Sequence, residues 1–153
     1  MIDQSGRSIY YLHCMSLLEI KSRQLRESID AVQVAANSET KSTAGDKHET
    51  ARAMAQLDIE MLSRQLAEVN KSIESLKRLS SPTPNDFVQP GSLVQTSIGA
   101  FYLSVGLGAI EVEGEKVMAV SSESPIAKAI LGKKSGDCII WNGTDLCLVS
   151  VVN

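Results

Sequence analysis

Two carboxylates three residues apart, Asp46 and Glu49, are the side chains of this sequence best placed to do chemistry. They belong to an acidic corner, residues 45–49, where a polar stretch ends and a long periodic apolar segment begins. The spacing alone favours a capping box, in which Asp46 accepts from the amide of residue 49 and Glu49 reaches back to the cap residue. The dipole of any helix also favours acidic side chains at its N-terminus. A catalytic pair is the alternative that the spacing leaves open.

The other chemically capable residues give weaker signals. His48 lies between the two acids and is a candidate metal ligand or proton carrier, although a histidine at an exposed loop edge is usually just solvated. Cys14, Cys138 and Cys147 have neither CxxC spacing nor a grouping with both histidines. Their pattern predicts a reducing compartment and no zinc site, while leaving open that Cys138 and Cys147 face each other on adjacent strands.

Two heptad stripes must position the acidic corner. Both stripes alternate steps of three and four residues, which keeps one seam facing a partner helix over several turns. We expect helices over about residues 8–36 and 46–79, joined by a polar loop at 37–45, in an antiparallel coiled-coil hairpin on the order of 40 to 50 Å long. The corner would then lie at the far tip. The seam residues are Tyr11, Met15, Leu18, Ser22, Leu25, Ile29, Val32 and Ala36 in the first helix, and Ile59, Leu62, Leu66, Val69, Ile73 and Leu76 in the second.

Composition and charge limit the choice of partner and compartment. The chain has 153 residues, 43% hydrophobic and 22% charged, with nothing like a signal peptide or membrane span. We therefore expect a cytoplasmic protein that does not bind a membrane. Residues 1–80 are neutral, whereas residues 81–153 have 4 Lys/Arg against 7 Asp/Glu and so carry the net charge of −3. A basic nucleic-acid-binding surface is not favoured, and a protein partner is.

The pattern changes after two prolines in residues 81–86, Pro82 and Pro84, which cannot continue a helix. We predict an α+β protein with a hairpin over 1–80, a linker at 81–86 and a small antiparallel β-sheet domain over 87–153. Ser124 and Pro125 look like the cap and first residue of one short helix ending at Gly132. The dipeptide at 142–143 is Asn-Gly, which type I′ hairpins prefer. Strands are expected at 88–97, 100–105, 116–121, 137–141 and 145–152.

The order of these features resembles a known family. The Gly-Asp-x-x-Glu corner at 45–49 and the run SPIAKAILGKKSGD at 124–137 are similar to the Gre family of bacterial transcript-cleavage factors, GreA/GreB. The likeness covers nearly the whole chain, and the C-terminal run is the more specific signal. It implies an FKBP-like fold for residues 87–153, without implying prolyl isomerase activity.

The resemblance implies a function for the tip. Gre proteins insert their coiled coil through the secondary channel of RNA polymerase and stimulate the polymerase's own cleavage of backtracked RNA. Asp46 and Glu49 would be the catalytic carboxylates that help to hold a second Mg²⁺, an ion that prefers oxygen ligands. The polymerase would supply the other ligands, so the isolated protein would be neither an enzyme nor a metalloprotein. Nucleic acid would be contacted only through the elongation complex.

Departures from the family pattern leave alternatives open. The family continues Asn-Ala-Glu-Tyr after the glutamate, whereas residues 50–53 here are Thr-Ala-Arg-Ala. This change is compatible with a regulator that occupies the channel without supporting cleavage. A coiled-coil interaction adaptor unrelated to transcription is the third hypothesis. Lys133 and Lys134 either meet an acidic rim on the polymerase or complement a helix dipole. Apolar residues at 9–12 leave the choice between a monomer and a weak homodimer open.

Overall fold

The computed structural model describes residues 4–39 and 45–153. Two long helices, α1 (Gln4–Glu39) and α2 (Gly45–Lys77), precede six strands and the short helix α3 (Pro125–Ile130). The strands are β1 (Leu93–Thr96), β2 (Gly99–Ser104), β3 (Gly108–Val112), β4 (Glu115–Ser121), β5 (Cys138–Trp141) and β6 (Thr144–Val152). The predicted α+β layout of a helical hairpin followed by a sheet with one helix is therefore confirmed.

The loop predicted at 37–45 is too long, because helical residues occupy both of its ends. Residues 37–39 continue α1, Gly45 begins α2, and residues 40–44 lie outside the described residues. None of the helices in the described part of the chain combines the length and apolarity that a membrane span requires.

Leu17–Ile73 forms one compact unit, which contains most of both long helices. Leu18, Ser22 and Leu25 are buried in α1, and Val69 is buried in α2. The remaining predicted seam positions of this unit are half-buried. The heptad seam is thus confirmed over this part of the hairpin, where a two-helix pair has only one contact face to bury.

The second unit comprises Met1–Ser16 and Glu74–Asn153. Here the buried face of α1 differs from the predicted seam: Tyr10 and Cys14 are buried, whereas Tyr11 and Met15 are only half-buried. The cause is a different neighbour, because sheet residues such as Tyr102 and Ser104 lie beside this part of α1. A helix that packs on a sheet buries a wider stripe of residues than the narrow seam buried by a partner helix.

The sheet has the strand order β3-β4-β2-β1-β6-β5. The prediction of an all-antiparallel sheet is wrong at one pair, because β2 and β4 run parallel. The reason is β3, a strand that was not predicted from the sequence. It forms an antiparallel hairpin with β4 and so turns β4 into the direction of β2. The first predicted strand is also shorter than expected, since only Leu93–Thr96 of residues 88–97 is strand.

A hydrophobic core lies between the sheet and α3. Its buried members are Val88, Val94, Leu103, Ala127, Ile130, Leu146 and Leu148. The predicted helix cap is confirmed, since Ser124 Oγ accepts from the amide of Ala127 at 3.4 Å and Pro125 is the first helical residue. The Asn142-Gly143 turn is confirmed as well, with φ of 50° and 77° at its two residues. Type I′ turns require positive φ at both positions.

Candidate functional site

The two candidate carboxylates lie in the first turn and a half of α2. Because α2 begins at Gly45, Asp46 is its second residue and Glu49 its fifth. Positions three apart lie on the same side of a helix, at the end where unpaired amides leave partial positive charge. A capping box needs Asp46 immediately before the first helical residue, and helix starts are defined only to within one or two residues, so the capping and catalytic hypotheses both stay predictions. The dipole still favours acids here.

The described side chains near Glu49 are mostly exposed. Glu49 is exposed, as are Lys47 and Arg52, while His48 is half-buried. The side chain of Asp46 lies outside the described part of the structure. Ion pairs among the described residues join Glu74 to Lys77 and Glu123 to Lys128, so Glu49 has no such partner there. The Glu49 carboxylate is therefore accessible to a partner molecule.

The chemistry of the tip is that of oxygen donors. Mg²⁺ prefers oxygen ligands such as the carboxylates of Asp46 and Glu49. Two carboxylates are enough for a Mg²⁺ site whose remaining ligands come from elsewhere. Within residues 4–39 and 45–153, as far as their side chains are described, no three His, Cys, Asp or Glu side chains are grouped so that they could hold a metal ion.

Lys133 and Lys134 lie in the connection between α3 and β5. Their backbone is well fixed: Lys133 O accepts from Val88 N at 2.8 Å, and Lys134 N donates to Asp137 Oδ2 at 2.9 Å. Both side chains are exposed, and neither forms an ion pair with a described residue. The chain thus presents two unpaired ammonium groups on a rigid turn, a suitable feature for an acidic partner. These lysines belong to one unit, while the tip carboxylates belong to the other.

A buried polar cluster was not predicted from the sequence. Arg7, 8% exposed, lies near Tyr102, and Cys14 lies near Ser104. Burial raises the pKa of Cys14 to about 11 and also raises the pKa of Tyr102, an effect that the nearby Arg7 charge partly offsets. The guanidinium hydrogen bonds of Arg7 go to backbone carbonyls, and Tyr102 Oη and Ser104 Oγ have no hydrogen-bond partner among the residues that the structure describes. The inert, protonated thiol and the fully buried phenol indicate a structural cluster.

A disulfide joins Cys138 and Cys147, whereas the cysteine pattern predicted a reducing compartment and left open that these two residues face each other on adjacent strands. A stronger signal was present in the sequence. A two-residue loop at Asn142-Gly143 pairs Trp141 with Thr144, and the same register places Cys138 opposite Cys147. The turn dipeptide by itself therefore determines that the two cysteines are neighbours.

Comparison of the chain with protein-family models, with curated proteins and with solved structures finds no match. The case for a function therefore depends on the residues of this chain and their arrangement.

Proposed function

We propose that this protein is a bacterial RNA polymerase-binding elongation factor, which enters the secondary channel and stimulates cleavage of backtracked RNA. The observation that carries the proposal is an acidic pair in the first turns of α2, in a helical hairpin whose compact unit contains helical residues 17–39 and 45–73, about 35 and 43 Å long at about 1.5 Å per residue. A slender hairpin of this length can reach a buried active site. The accessible carboxylate of Glu49 is the group that it would carry there.

The C-terminal run adds a second line of support. Residues 124–137 form a capped short helix and a fixed turn that leads into β5, in the order that the Gre resemblance implies. We propose that residues 87–153 are an FKBP-like domain that docks at the channel rim in the cytoplasm. Lys133 and Lys134 would meet acidic residues there, since opposite charges speed and orient docking.

The tip residues would act by position and charge. Glu49 and Asp46 would enter the polymerase site as anionic oxygen donors, with the first turn of α2 holding their spacing. A Mg²⁺ ion held between them and the polymerase would polarise the phosphate and help to activate the attacking water. The protein itself would contribute two ligands and no nucleophile. It is therefore proposed as an accessory factor, and cleavage belongs to the polymerase.

The test is RNA cleavage in a stalled, backtracked elongation complex supplied with Mg²⁺. Wild-type protein is expected to release short 3′ RNA fragments, whereas Asp46→Ala/Glu49→Ala should bind the complex without releasing them. A matched control is Asp58→Ala/Glu68→Ala, which removes two exposed charges from the same helix away from the tip. The proposal fails if both double variants cleave as well as wild type does.

One observation favours a second function, occupancy of the channel without cleavage. Lys47 and Arg52 are exposed on either side of Glu49 in sequence, and cations near a carboxylate compete with a metal ion for it. In that case wild type and the tip variant would both bind the elongation complex, and neither would release fragments. Failure of the protein to co-purify with the polymerase would exclude both functions and leave the interaction adaptor.

A further inference from the structure

The outer face of the β5–β6 hairpin carries a pair of bonded cysteines. Cys138 and Cys147 are direct partners in the antiparallel register, with Cα atoms 4.0 Å apart. β5 is the last strand of the sheet and pairs only with β6. The disulfide therefore crosslinks an edge strand to its single neighbour.

This crosslink lies on the solvent side of the sheet. Cys138 is exposed and Cys147 half-buried, and the nearby outward residues Ile140 and Val149 are 77% and 60% exposed. Alternate residues of the same strands point to the core, where Leu146 and Leu148 are buried and Trp141 packs against them. Because side chains alternate along a strand, a reagent can reach the sulfur atoms without opening the core.

The hairpin has other interactions that hold it closed. The Asn142-Gly143 turn has the positive φ values of a type I′ loop, and four residue pairs connect β5 to β6. The two cysteines are nine positions apart in sequence, so the disulfide closes a short loop. A disulfide that closes a short loop stabilises a protein less than one that closes a long loop. The fold is therefore expected to persist when this bond is broken.

We propose that Cys138–Cys147 is a thiol–disulfide exchange site for low-molecular-weight thiols, with Cys138 as the sulfur that is attacked. A thiolate attacks Cys138 Sγ, forms a mixed disulfide and releases the Cys147 thiolate. A second thiolate then attacks the sulfur of the bound small molecule. It releases the Cys138 thiolate and the oxidised small-molecule disulfide. Two electrons pass to the protein, and both cysteine thiolates then take up protons from water. Oxidation by the small-molecule disulfide reverses every step.

Exposure determines the choice of sulfur. Cys138 is the more accessible of the two, and attack on it leaves Cys147 as the departing thiolate. The third cysteine cannot take part, because Cys14 is fully buried and burial raises its pKa to about 11. A buried thiol with so little thiolate reacts slowly. The exchange chemistry is thus confined to the β5–β6 pair.

Breaking the bond changes the edge of the sheet. Reduced β5 keeps its backbone hydrogen bonds to β6 and the packing of its inward side chains but loses its covalent link, and strands at an edge open more readily than central ones. Ile139 and Trp141 pack against the core from β5, so opening of this strand exposes them transiently. Trp141 is the single tryptophan of the chain and therefore reports on this event.

The test uses the full chain in glutathione buffers of graded reduced-to-oxidised ratio. We expect a reversible two-electron transition, measured by counting alkylated thiols, with Cys138 and Cys147 modified together and Cys14 unmodified. Backbone hydrogen exchange at 139–141 should be severalfold faster in the reduced protein, while far-UV circular dichroism stays unchanged. A bond that stays oxidised in fully reduced glutathione, or that is reduced only when the protein unfolds, would overturn the proposal.

Single variants test which sulfur is attacked. In Cys147→Ser, Cys138 should form a mixed disulfide with oxidised glutathione severalfold faster than Cys147 does in Cys138→Ser. Both variants carry Cys14→Ala so that one thiol remains in each. Equal rates, or a faster Cys147, would contradict the assignment of Cys138. The wild-type redox titration remains decisive if either variant folds poorly.

Discussion

The guanidinium of Arg7 donates a hydrogen bond from Nη2 to the backbone carbonyl of Ser80 at 2.8 Å, across 73 positions of sequence. Nη1 donates to the carbonyl of Leu79 at 3.2 Å and lies 3.5 Å from that of Gly91. These carbonyls follow the end of α2, where a helix leaves acceptors unpaired and its dipole favours a cation. Arg7 therefore connects the start of α1 to the chain that leaves α2.

Replacing Arg7 should destabilise the protein strongly. Arg7→Ala leaves partly buried carbonyls without a donor, which we expect to lower the free energy of unfolding by about 2 to 3 kcal/mol. Urea denaturation followed by circular dichroism measures the change. The control is Arg23→Ala, an exposed arginine of the same helix, with an expected change within about 0.5 kcal/mol. Equal midpoints for the two variants would show that the Arg7 contacts contribute nothing.

Gly91 is a second sensitive point of the same region. Its φ is +96°, and a Cβ at this position would lie 3.3 Å from the carbonyl oxygen of Leu79. Gly91→Ala should therefore lower the free energy of unfolding by roughly 1 to 3 kcal/mol. Gly106→Ala is the matched control, because its φ is ordinary and nothing lies within 4 Å. Thermal denaturation of both variants tests the prediction, which is wrong if Gly106→Ala is the more damaging change.

Stability should fall as the pH rises above about 9. Burial raises the pKa of Cys14 from 9.0 to about 11 and also raises the pKa of Tyr102. The pKa of Tyr10 is raised by burial and by Glu115 and Glu113. The folded state holds these protons more tightly than the unfolded state does. The resulting stabilisation is complete at pH values below the pKa of each group in the unfolded state. It is lost as the pH rises through the pKa of that group in the folded state.

Cys14 contributes to this loss between about pH 9 and pH 11. Cys14→Ala should make the free energy of unfolding less dependent on pH over that interval, whatever the variant's stability at neutral pH. Urea denaturation at a series of pH values measures both slopes. An unchanged slope in Cys14→Ala would mean that the thiol does not titrate with folding.

The exposed lysine pair should affect partner binding and leave folding unchanged. If Lys133 and Lys134 dock on an acidic rim, Lys133→Ala/Lys134→Ala should weaken binding to the elongation complex. The loss should shrink as salt is added, because salt screens exposed charges. The control removes the other two lysines of residues 81–153, as Lys116→Ala/Lys128→Ala. Equal weakening in both double variants would point to net charge instead of a specific contact.

Much of the fold was predictable because its signals are local. Heptad spacing from Leu18 to Ala36 and from Ile59 to Ile73 marks the hairpin seam, since periodicity is set by helix geometry alone. Ser124 before Pro125 marks the cap of α3, and Asn142-Gly143 marks the β5–β6 turn. Local signals also predicted where the acidic pair lies. Asp46 and Glu49 were expected near the start of α2, and both are in its first five residues.

The parts that were missed depend on neighbours far apart in sequence. β3 is a five-residue strand with glycine at its start, and its pairing with β4 turns that strand parallel to β2. No periodic pattern of residues along the chain predicts that β4 pairs parallel to β2.

The sequence by itself determined the long helices, the short capped helix, the turn that brings Cys138 opposite Cys147 and the position of the acidic pair. All of these follow from interactions within a few residues of each other or from one helical or hairpin register. The tertiary structure alone decided that α1 changes its buried face at Tyr10 and Cys14, and that Arg7 binds the carbonyls after α2. Those outcomes depend on which surface covers each helix, and that surface comes from distant parts of the chain.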